Sequence, residues 1–455
     1  MPHRLIGILL LLMSCSSLFA QENTTKIAAL MQAAHQRGIF NGNVLVADGT
    51  HIVYERSFGH ADSSRAAALS SSNTFYVGSI AKEFNGVGIL LLNQRGKLKL
   101  TDKISQYLSG YPAWADSIEI RHLLNYTSGL PDVPDGSENA VQQTLSQLKA
   151  LAFEPGKTYL YSYANVFLQK KIIEKITGVP YNSFLSSQIL LPCHVTEGSD
   201  AANHKAAMPF TNSFKPVEFD ASANMNALFT ARDLYKWMGC LASGKVLNEM
   251  SIRQLGQSFG SGESSLGNAK FAGNALVTHQ HQGSGYNYEG LIFSDTDEKS
   301  TIVLLTNNQN FKLYQLKDAI LAILHGQPYT VPKKSIYLDI REGLAADFQE
   351  GLAEYYRLRR DGKDVYDFDA EPMDLISTGK YLSRRNKFDD ALAIFEVSTT
   401  FHLNAPNLSY AYELIADTWL KKGNKQLATL YCQKAIETDP NNKNARGMLN
   451  SLDSK

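Results

Sequence analysis

The chain reads Phe75-Tyr76-Val77-Gly78-Ser79-Ile80-Ala81-Lys82-Glu83-Phe84-Asn85 where a short β-like run gives way to an apolar helical pattern that continues to Leu92. If Ser79 opens that helix, Lys82 lies three residues further on and faces the same side. A serine hydroxyl becomes a nucleophile when a base removes its proton, and a desolvated lysine can be that base. The helix start also offers a free backbone N–H and a positive dipole end to a developing oxyanion. The stretch therefore predicts a nucleophilic serine with a lysine beside it.

The Ser-x-x-Lys pattern alone is not specific. It also occurs in Ser146-Gln147-Leu148-Lys149 and in Ser377-Thr378-Gly379-Lys380. At least two of these matches must be accidental, so the other parts of a site have to decide among them.

Length, composition and charge limit the number of domains and the classes of protein to which this chain can belong. A chain of 455 residues should hold two or three domains. Its 44% hydrophobic and 19% charged residues are typical of a soluble globular protein. Lys+Arg and Asp+Glu both number 44, so the charge balance gives no indication of binding to nucleic acid or to an anionic membrane.

Residues 1–20 have the pattern of a signal peptide. Arg4 is followed by an apolar run, Leu5 to Met13, and a small-residue cleavage site ends at Ala20. The run is too short to span a bilayer. We therefore expect a periplasmic or secreted protein. An uncleaved anchor, or a lipid on Cys15, fits the pattern less well.

The remaining cysteines are Cys193, Cys240 and Cys432. Their odd number and wide spacing give neither a disulfide framework nor a zinc motif. A Cys193–Cys240 bond is compatible with an oxidising compartment, and buried free thiols are equally compatible with the pattern.

Residues 21–325 predict one α+β domain. A β-hairpin with an Asp48-Gly49 turn stands near its start, and the middle is mainly helical. Strand patterns return from Val277 to Asn307 and a helix follows from Phe311 to Leu324. Strands at both ends imply an antiparallel sheet that brings the two ends together.

Residues 326–339 begin with Gly326 and contain two prolines and two lysines, which predicts a linker. The pattern of residues 340–455 predicts a helical domain. Asn386–Phe395 and the segment from Asn424 onward repeat with small residues at matching places and resemble tetratricopeptide repeats. The third Ser-x-x-Lys match falls inside this array. Such repeats are first of all a packing module; a protein partner on them is an open hypothesis, and nothing in the residues identifies one.

Three further motifs follow Ser79 in order: Leu123–Pro131, Phe153–Asn165 and His279–Tyr286. With them the chain resembles the serine β-lactamase-like family, which includes class C β-lactamases, DD-peptidases, D-aminopeptidases and esterases. The resemblance covers about residues 25 to 325. It implies the transpeptidase fold, an antiparallel sheet with a helical subdomain, and a serine hydrolase that needs no cofactor.

The resemblance assigns roles to residues. Ser79 matches the nucleophile that forms an acyl-enzyme, and Lys82 matches the lysine that assists proton transfer. Four residues separate the family tyrosine from a Pro-Gly pair, and counting from Pro155-Gly156 gives Tyr161. We therefore expect Tyr161 to be the base, with its phenolate favoured by Lys82.

The third motif is His281-Gln282-Gly283, on a strand that borders the cleft. Ser284 would offer the second oxyanion N–H beside that of Ser79. β-Lactamases carry lysine where His281 stands, and a largely neutral imidazole grips a substrate carboxylate less well than an ammonium does. Histidine-bearing members of the family are more often esterases or peptidases that act on D-residues. A small-molecule or peptide acyl substrate is expected.

Tyr163 occupies the position where the family usually has asparagine that helps to hold substrate. Tyr163 and Asn165 also match the family's Tyr-x-Asn motif if the alignment is shifted by two residues. Such a shift would have to be compensated by changes in spacing before and after the motif, so Tyr161 is preferred. The departure keeps a second hypothesis open, in which the fold is a weak or inactive scaffold that acts through its repeats. That hypothesis gains if Tyr163 fills the cleft or Tyr161 points into the core.

His279 and His281 also match two metal ligands on one strand face. No third ligand cluster accompanies them in the sequence, so no metal is expected. The Asn125–Pro131 loop is interpreted as structural.

Overall fold

The computed structural model describes residues 21–133, 137–195, 206–221, 227–260 and 262–453. The predicted signal peptide and Cys15 lie outside the described residues. The chain divides into two compact units, the first comprising 21–36, Phe40–Gln309 and Leu313–Thr330, and the second Arg37–Ile39, Asn310–Lys312 and 331–453. Within the described residues, no helix combines the length and the apolar character needed to cross a bilayer.

The first unit is built on an antiparallel six-stranded sheet of order β2-β1-β8-β7-β6-β5. The strands are β1 (Gly42–Asp48), β2 (His51–Phe58), β5 (Asn268–Ala272), β6 (Ala275–Gly285), β7 (Tyr288–Asp295) and β8 (Ser300–Thr306), and a separate pair comprises β3 (Phe75–Tyr76) and β4 (Leu228–Phe229). β1 pairs with β8, with Val44 opposite Leu304, so the sheet joins the two ends of the segment as expected. The central strands are buried at nearly every position, which fits their content of valine, isoleucine and leucine.

Helices surround the sheet in the first unit. They are α1 (residues 21–36), α2 (Lys82–Gln94), α3 (Ile120–Leu124), α4 (Glu138–Ser146), α5 (Tyr163–Thr177), α6 (Tyr181–Leu185), α7 (Ala231–Ala242), α8 (Glu249–Leu255) and α9 (Leu313–Leu324). α2 lies within the main hydrophobic core, because its residues from Glu83 to Leu92 are buried. Cys193 and Cys240 form a disulfide, whereas Cys432 is a buried free thiol.

Two helix starts differ from the sequence-based expectation. Ser79 lies in a 3₁₀ turn, Gly78–Ala81, and α2 begins at Lys82. α5 begins at Tyr163, because the Ser162 side chain accepts a hydrogen bond from the Ala164 N–H and caps the helix there.

The second unit is helical. Its helices are α10 (Tyr337–Ala346), α11 (Phe348–Asp361), α12 (Glu371–Ser383), α13 (Phe388–Thr399), α14 (Ala405–Lys421), α15 (Lys425–Thr438) and α16 (Lys443–Asp453). Neighbouring helices pack in the pairs α12–α13 and α14–α15. The predicted linker 326–339 differs from the structure: Lys334 forms a bridge to Tyr366, its ammonium binds Asp339, and α10 begins at Tyr337. Residues 331–339 are therefore part of the helical unit, whereas the residues up to Thr330 belong to the first unit.

Candidate active site

The 3₁₀ turn brings Ser79 and Lys82 together. In a 3₁₀ helix the side chains at positions i and i+3 eclipse each other. The Lys82 Nζ accordingly lies 2.9 Å from the Ser79 Oγ. The sequence spacing thus produces the expected contact, although through a tighter turn than the α-helix start it suggested.

Tyr161 completes a ring of three hydrogen bonds. Its hydroxyl donates to the Ser79 Oγ at 2.8 Å, and the Lys82 Nζ donates to the Tyr161 oxygen at 2.5 Å. The Lys82 Nζ also lies 4.5 Å from the centre of the Tyr161 ring. Behind that ring stands Tyr126, with its ring centre 4.8 Å away, so the phenol is held from both sides.

The protonation state of Tyr161 differs from the expectation. Burial, together with the charges of Glu263 and Asp132, raises the pKa of Tyr161 to about 12, although the hydrogen bond to Ser79 acts in the opposite direction. At neutral pH the side chain is therefore a phenol and not the phenolate that the sequence argument assigned to it.

The C-terminal end of β6 passes very close to the turn that carries Ser79. A Cβ placed on Gly283 would lie 2.6 Å from the Ser79 N, and one placed on Gly78 would lie 2.5 Å from the Ser284 N. Gly78 also has a φ of +54°, which L side chains rarely adopt. Glycine at both positions lets the Ser79 and Ser284 amides approach each other, as a two-donor oxyanion site requires.

A buried carboxylate lies directly behind this strand. Glu83 is fully buried, and its Oε1 accepts hydrogen bonds from the His279 Nε2 at 2.8 Å and the His281 Nδ1 at 2.7 Å. The Trp237 Nε1 donates to the Oε2 at 2.7 Å. Burial alone would raise the pKa of Glu83, but the two histidines lower it to about 2, so the carboxylate is ionised.

This arrangement defines what His281 can do. Facing an ionised carboxylate, the His281 Nδ1 carries the hydrogen, so in the neutral ring the Nε2 is an acceptor. A ring nitrogen that donates its hydrogen to Glu83 cannot at the same time ligate a cation. Within the ranges that the structure describes, no group of three or more His, Cys, Asp and Glu side chains forms a metal site.

The sequence analysis did not identify Glu83 and Gly78 as residues that shape the site. The signal for Glu83 was a single acidic residue at the start of an otherwise apolar helix, together with the alternating histidines 279 and 281 on one strand face. The signal for Gly78 was its place next to the nucleophile.

Tyr163 and Asn165 do not share the position of Tyr161. Tyr163 is the first residue of α5 and packs against the main hydrophobic core. Asn165 is fully buried; its side chain accepts a hydrogen bond from the Ser128 Oγ at 2.6 Å and donates to the Ser162 carbonyl. The packing of Tyr163 does not test the substrate contact expected of it, which stays a prediction. Asn165 connects α5 to the loop that carries Ser128.

The two other Ser-x-x-Lys matches lack such an arrangement. The Ser146 Oγ donates to the Gln142 carbonyl within α4. Lys380 donates to the Tyr410 hydroxyl at 2.8 Å, in the helical unit. Among the described residues, neither Ser146 nor Ser377 is hydrogen-bonded to a tyrosine and a lysine together, as Ser79 is.

Acidic groups flank the site. The Glu263 N–H donates to the Tyr159 hydroxyl, and the Tyr159 and Tyr126 rings pack edge to face. Asp132 follows Pro131, whose carbonyl accepts a hydrogen bond from Ser162, the residue after Tyr161. Neither Glu263 nor Asp132 forms an ion pair within the described part of the chain.

Comparison with known proteins identifies the family. The profile of the family described as Beta-lactamase matches residues 24–327. The chain belongs to the Beta-lactamase family. It is a serine hydrolase of the β-lactamase-like family, with a β-lactamase and penicillin-binding-protein-like fold followed by a helical region.

Relatives extend this result. Penicillin-binding protein 4* of Bacillus subtilis (strain 168) is 26% identical over 364 residues, which cover 69% of this chain and 79% of that protein. The octameric penicillin-binding protein homologue from Pyrococcus abyssi has a TM-score of 0.57 at 19% identity, covering 71% of this chain and 81% of that one. D-amino acid amidase from Ochrobactrum anthropi SV3 has a TM-score of 0.55 at 20% identity, covering 67% and 99%. At these identities the two structures demonstrate a shared fold.

Proposed function

We propose that this protein cleaves an ester or amide bond through an acyl-enzyme on Ser79. The observation that carries the proposal is the ring of hydrogen bonds among Ser79, Lys82 and Tyr161, with distances of 2.8, 2.9 and 2.5 Å. Those contacts place a nucleophile within reach of two groups that can exchange its proton. The neighbouring amides of Ser79 and Ser284 are the proposed oxyanion donors.

The proposed reaction has two steps. The Ser79 Oγ bonds to the carbonyl carbon while its proton passes to the Lys82–Tyr161 pair. The pair acts as one base in the form that has already lost one proton. Because Tyr161 is a phenol at neutral pH, Lys82 is then a neutral amine, and Tyr161 accepts the serine proton as it passes its own to the Lys82 Nζ. The tetrahedral intermediate collapses, and the leaving amine or alcohol takes the proton from the pair. Water then hydrolyses the Ser79 ester by the same route.

Replacement of Ser79 tests this assignment. Ser79→Ala should abolish labelling by a fluorescent acylating probe, since the bond-forming atom is removed. Ser146→Ala is the matched control, because it removes a serine of the same sequence pattern and should leave labelling unchanged. Labelling of Ser79→Ala at the rate of the wild-type protein would overturn the proposal and favour the scaffold hypothesis.

Charge around the site favours substrates without a carboxylate. His281, which stands where β-lactamases carry lysine, is hydrogen-bonded to the ionised Glu83. Glu263 and Asp132 add negative charge near Tyr161. Of the esterase, D-aminopeptidase and DD-peptidase-like activities proposed for this chain, we therefore infer that those on substrates without a carboxylate near the scissile bond are favoured, and that β-lactams are hydrolysed only inefficiently.

A matched pair of esters tests this preference. p-Nitrophenyl propionate is neutral, whereas mono-p-nitrophenyl succinate carries a carboxylate on a similar acyl chain. We expect kcat/KM to be at least tenfold higher for the neutral ester, because like charges repel in the cleft. Equal values, or a preference for the succinate, would contradict the inferred substrate class.

We also propose a packing type for the helical region and a cellular location for the protein. α13 and α15 start 37 residues apart, at Phe388 and Lys425, and a Cβ on Gly379 would lie 2.4 Å from the Phe395 ring. This close crossing of α12 and α13 supports tetratricopeptide-like packing, on which a protein partner could bind. The pattern of residues 1–20 supports a secreted or periplasmic protein.

A further inference from the structure

A cavity lies behind Tyr161, the proposed base. It has a volume of about 440 Å³, within the usual range for small-molecule sites. Its walls come from the end of α3 and the loop after it, from Gly156, and from the segment that follows α8. Ser79, Lys82 and Tyr161 are not among its lining residues. Tyr126 separates this cavity from the site of Ser79, Lys82 and Tyr161, since Asn125 and Thr127 line the cavity while the Tyr126 ring packs on Tyr161.

His122 presents a hydrogen-bond donor to this cavity. The side chain is 9% exposed, and its Nδ1 accepts a hydrogen bond from the Glu119 backbone N–H at 3.1 Å. Burial lowers the pKa of His122, so the ring is neutral near pH 7 and its one hydrogen is on the Nε2. That N–H has no partner among the described residues.

Gly156 leaves space in front of this donor. A Cβ placed on Gly156 would lie 3.3 Å from the His122 Nε2, so any larger residue would crowd it. Gly156 has a φ of +85° and is itself a lining residue. The position therefore combines a buried donor with an adjacent backbone that carries no side chain.

Other donors converge on the same space. The Asn125 Oδ1 accepts a hydrogen bond from the Thr127 hydroxyl at 2.7 Å, which directs the Asn125 amide N–H groups away from that bond. The Arg121 side chain is 57% exposed, its Nε lies 2.6 Å from a Glu119 oxygen, and its terminal nitrogens donate no hydrogen bond in the described ranges. Among the described residues, no aspartate or glutamate lines the cavity, while Leu100, Leu124 and Phe259 give it an apolar side.

We propose that this cavity binds a small carboxylate attached to an apolar body, with His122 and Arg121 as its anchoring donors. A planar carboxylate matches the fork of an arginine and can accept from the imidazole at the same time. One formal positive charge, already shared with Glu119, suits a monoanion better than a doubly charged phosphate. The binding does not depend on hydrolysis at Ser79.

Benzoate and benzamide are matched probes for this site, since they share size and ring but differ in charge. Binding to the full-length protein is measured by calorimetry at constant ionic strength and pH 7. We expect the Kd of benzoate to be at least tenfold lower than that of benzamide. Phenylphosphonate should bind more weakly than benzoate; tighter binding would overturn the assignment to a carboxylate.

Variants locate the binding. His122→Asn keeps an acceptor for the Glu119 N–H but removes the Nε2, and Arg121→Gln removes the charge; each should weaken benzoate at least tenfold. Arg95→Gln is the charge-matched control, because Arg95 is exposed and bonded to Gln188. Ser79→Ala should bind benzoate as the wild-type protein does. If Arg121→Gln leaves the Kd unchanged, or Ser79→Ala abolishes binding, the proposed site is wrong, whether or not His122→Asn folds.

Discussion

Two carboxylates oppose the loss of the Tyr161 proton. Glu263 and Asp132 both raise the pKa of Tyr161, in addition to the effect of its burial. If the Lys82–Tyr161 pair is the base, acylation should become faster as pH rises and the pair loses a proton. Removing one negative charge should favour that loss, so Glu263→Gln should move the rise of kcat/KM to lower pH by roughly half a pH unit.

The measurement is a pH profile of kcat/KM for a neutral aryl ester. Asp297→Asn is a suitable control, because Asp297 is an exposed acidic residue in the turn between β7 and β8. A profile of Glu263→Gln that is unshifted, or shifted to higher pH, would show that this charge does not act on the base.

Glu83 should control stability in acid. Its pKa is lowered from 4.5 to about 2 in the folded state, so its ionisation stabilises the fold above pH 4.5. That contribution, about 3 kcal/mol, should be lost as pH falls from about 4.5 towards 2. Glu83→Gln lacks the titrating group, and its free energy of unfolding should vary less over that pH range than that of the wild-type protein.

Chemical denaturation at pH 5 and pH 3 checks the effect. Glu22→Gln is the control, since the Glu22 side chain is 56% exposed and pairs only with Lys26 on the surface. Parallel losses of stability in the wild-type protein and Glu83→Gln would mean that the buried carboxylate is not ionised.

The sequence predicted the residues around the proposed nucleophile better than it predicted their electrostatic environment. The spacing of Ser79 and Lys82 and the distance from Pro155-Gly156 to Tyr161 led to side chains that meet in space. The protonation state of Tyr161 could not be predicted, because it depends on burial and on charges brought near by distant segments. Glu83 was missed for the same reason: its partners are a strand and a helix far along the chain.

At the scale of elements, the contact between β6 and the nucleophile turn decides whether the oxyanion donors meet. A Cβ on Gly283 would lie 2.0 Å from the Val77 carbonyl oxygen and 2.6 Å from the Ser79 N. Because both are backbone atoms, Gly283→Ala must push the strand away. The rate of Ser79 acylation should fall about a hundredfold or more, as it does when an oxyanion donor is lost.

Gly239→Ala is the control for this prediction. Gly239 lies in α7, and a Cβ there would have no atom within 4 Å. Alanine is the better helix former, so this variant should retain the acylation rate and unfold at the same or a higher temperature. Stopped-flow labelling measures the rate; a Gly283→Ala protein that acylates as fast as Gly239→Ala would contradict the proposed role of the close approach.

Elements were predictable where local chemistry determines them. The Asp48-Gly49 turn, the β1–β2 hairpin and the left-handed Gly178 that ends α5 follow from residues within a few positions. The start of α2 was not predictable from periodicity, because the turn at Gly78–Ala81 tightens to accommodate the neighbouring strand. The Cys193–Cys240 bond was left open by spacing, since only the fold brings the two residues to a Cα distance of 5.4 Å.

At the scale of the whole molecule, the helical unit is not a single stretch of sequence. It includes Asn310–Lys312, although the sequence pattern assigned these residues to the domain that ends at residue 325. Lys312 is 3% exposed, and its ammonium lies 3.0 Å from an Asp367 carboxylate oxygen. Composition could not indicate this pair, because its members are 55 residues apart.

A buried ammonium that loses its carboxylate is costly, because water does not replace the lost partner. Asp367→Asn should therefore destabilise the helical unit by about 2 kcal/mol, a value reduced from that of a fully buried pair because Asp367 is partly exposed. Adding Lys312→Met should restore most of the loss, since the charge that needs a partner is then absent. Thermal unfolding followed by circular dichroism measures both effects, with Asp361→Asn, in an exposed pair with Arg360, as the control. If the double variant is no more stable than Asp367→Asn alone, the uncompensated charge is not the cause, and the assignment of residues 310–312 to this unit loses its energetic support.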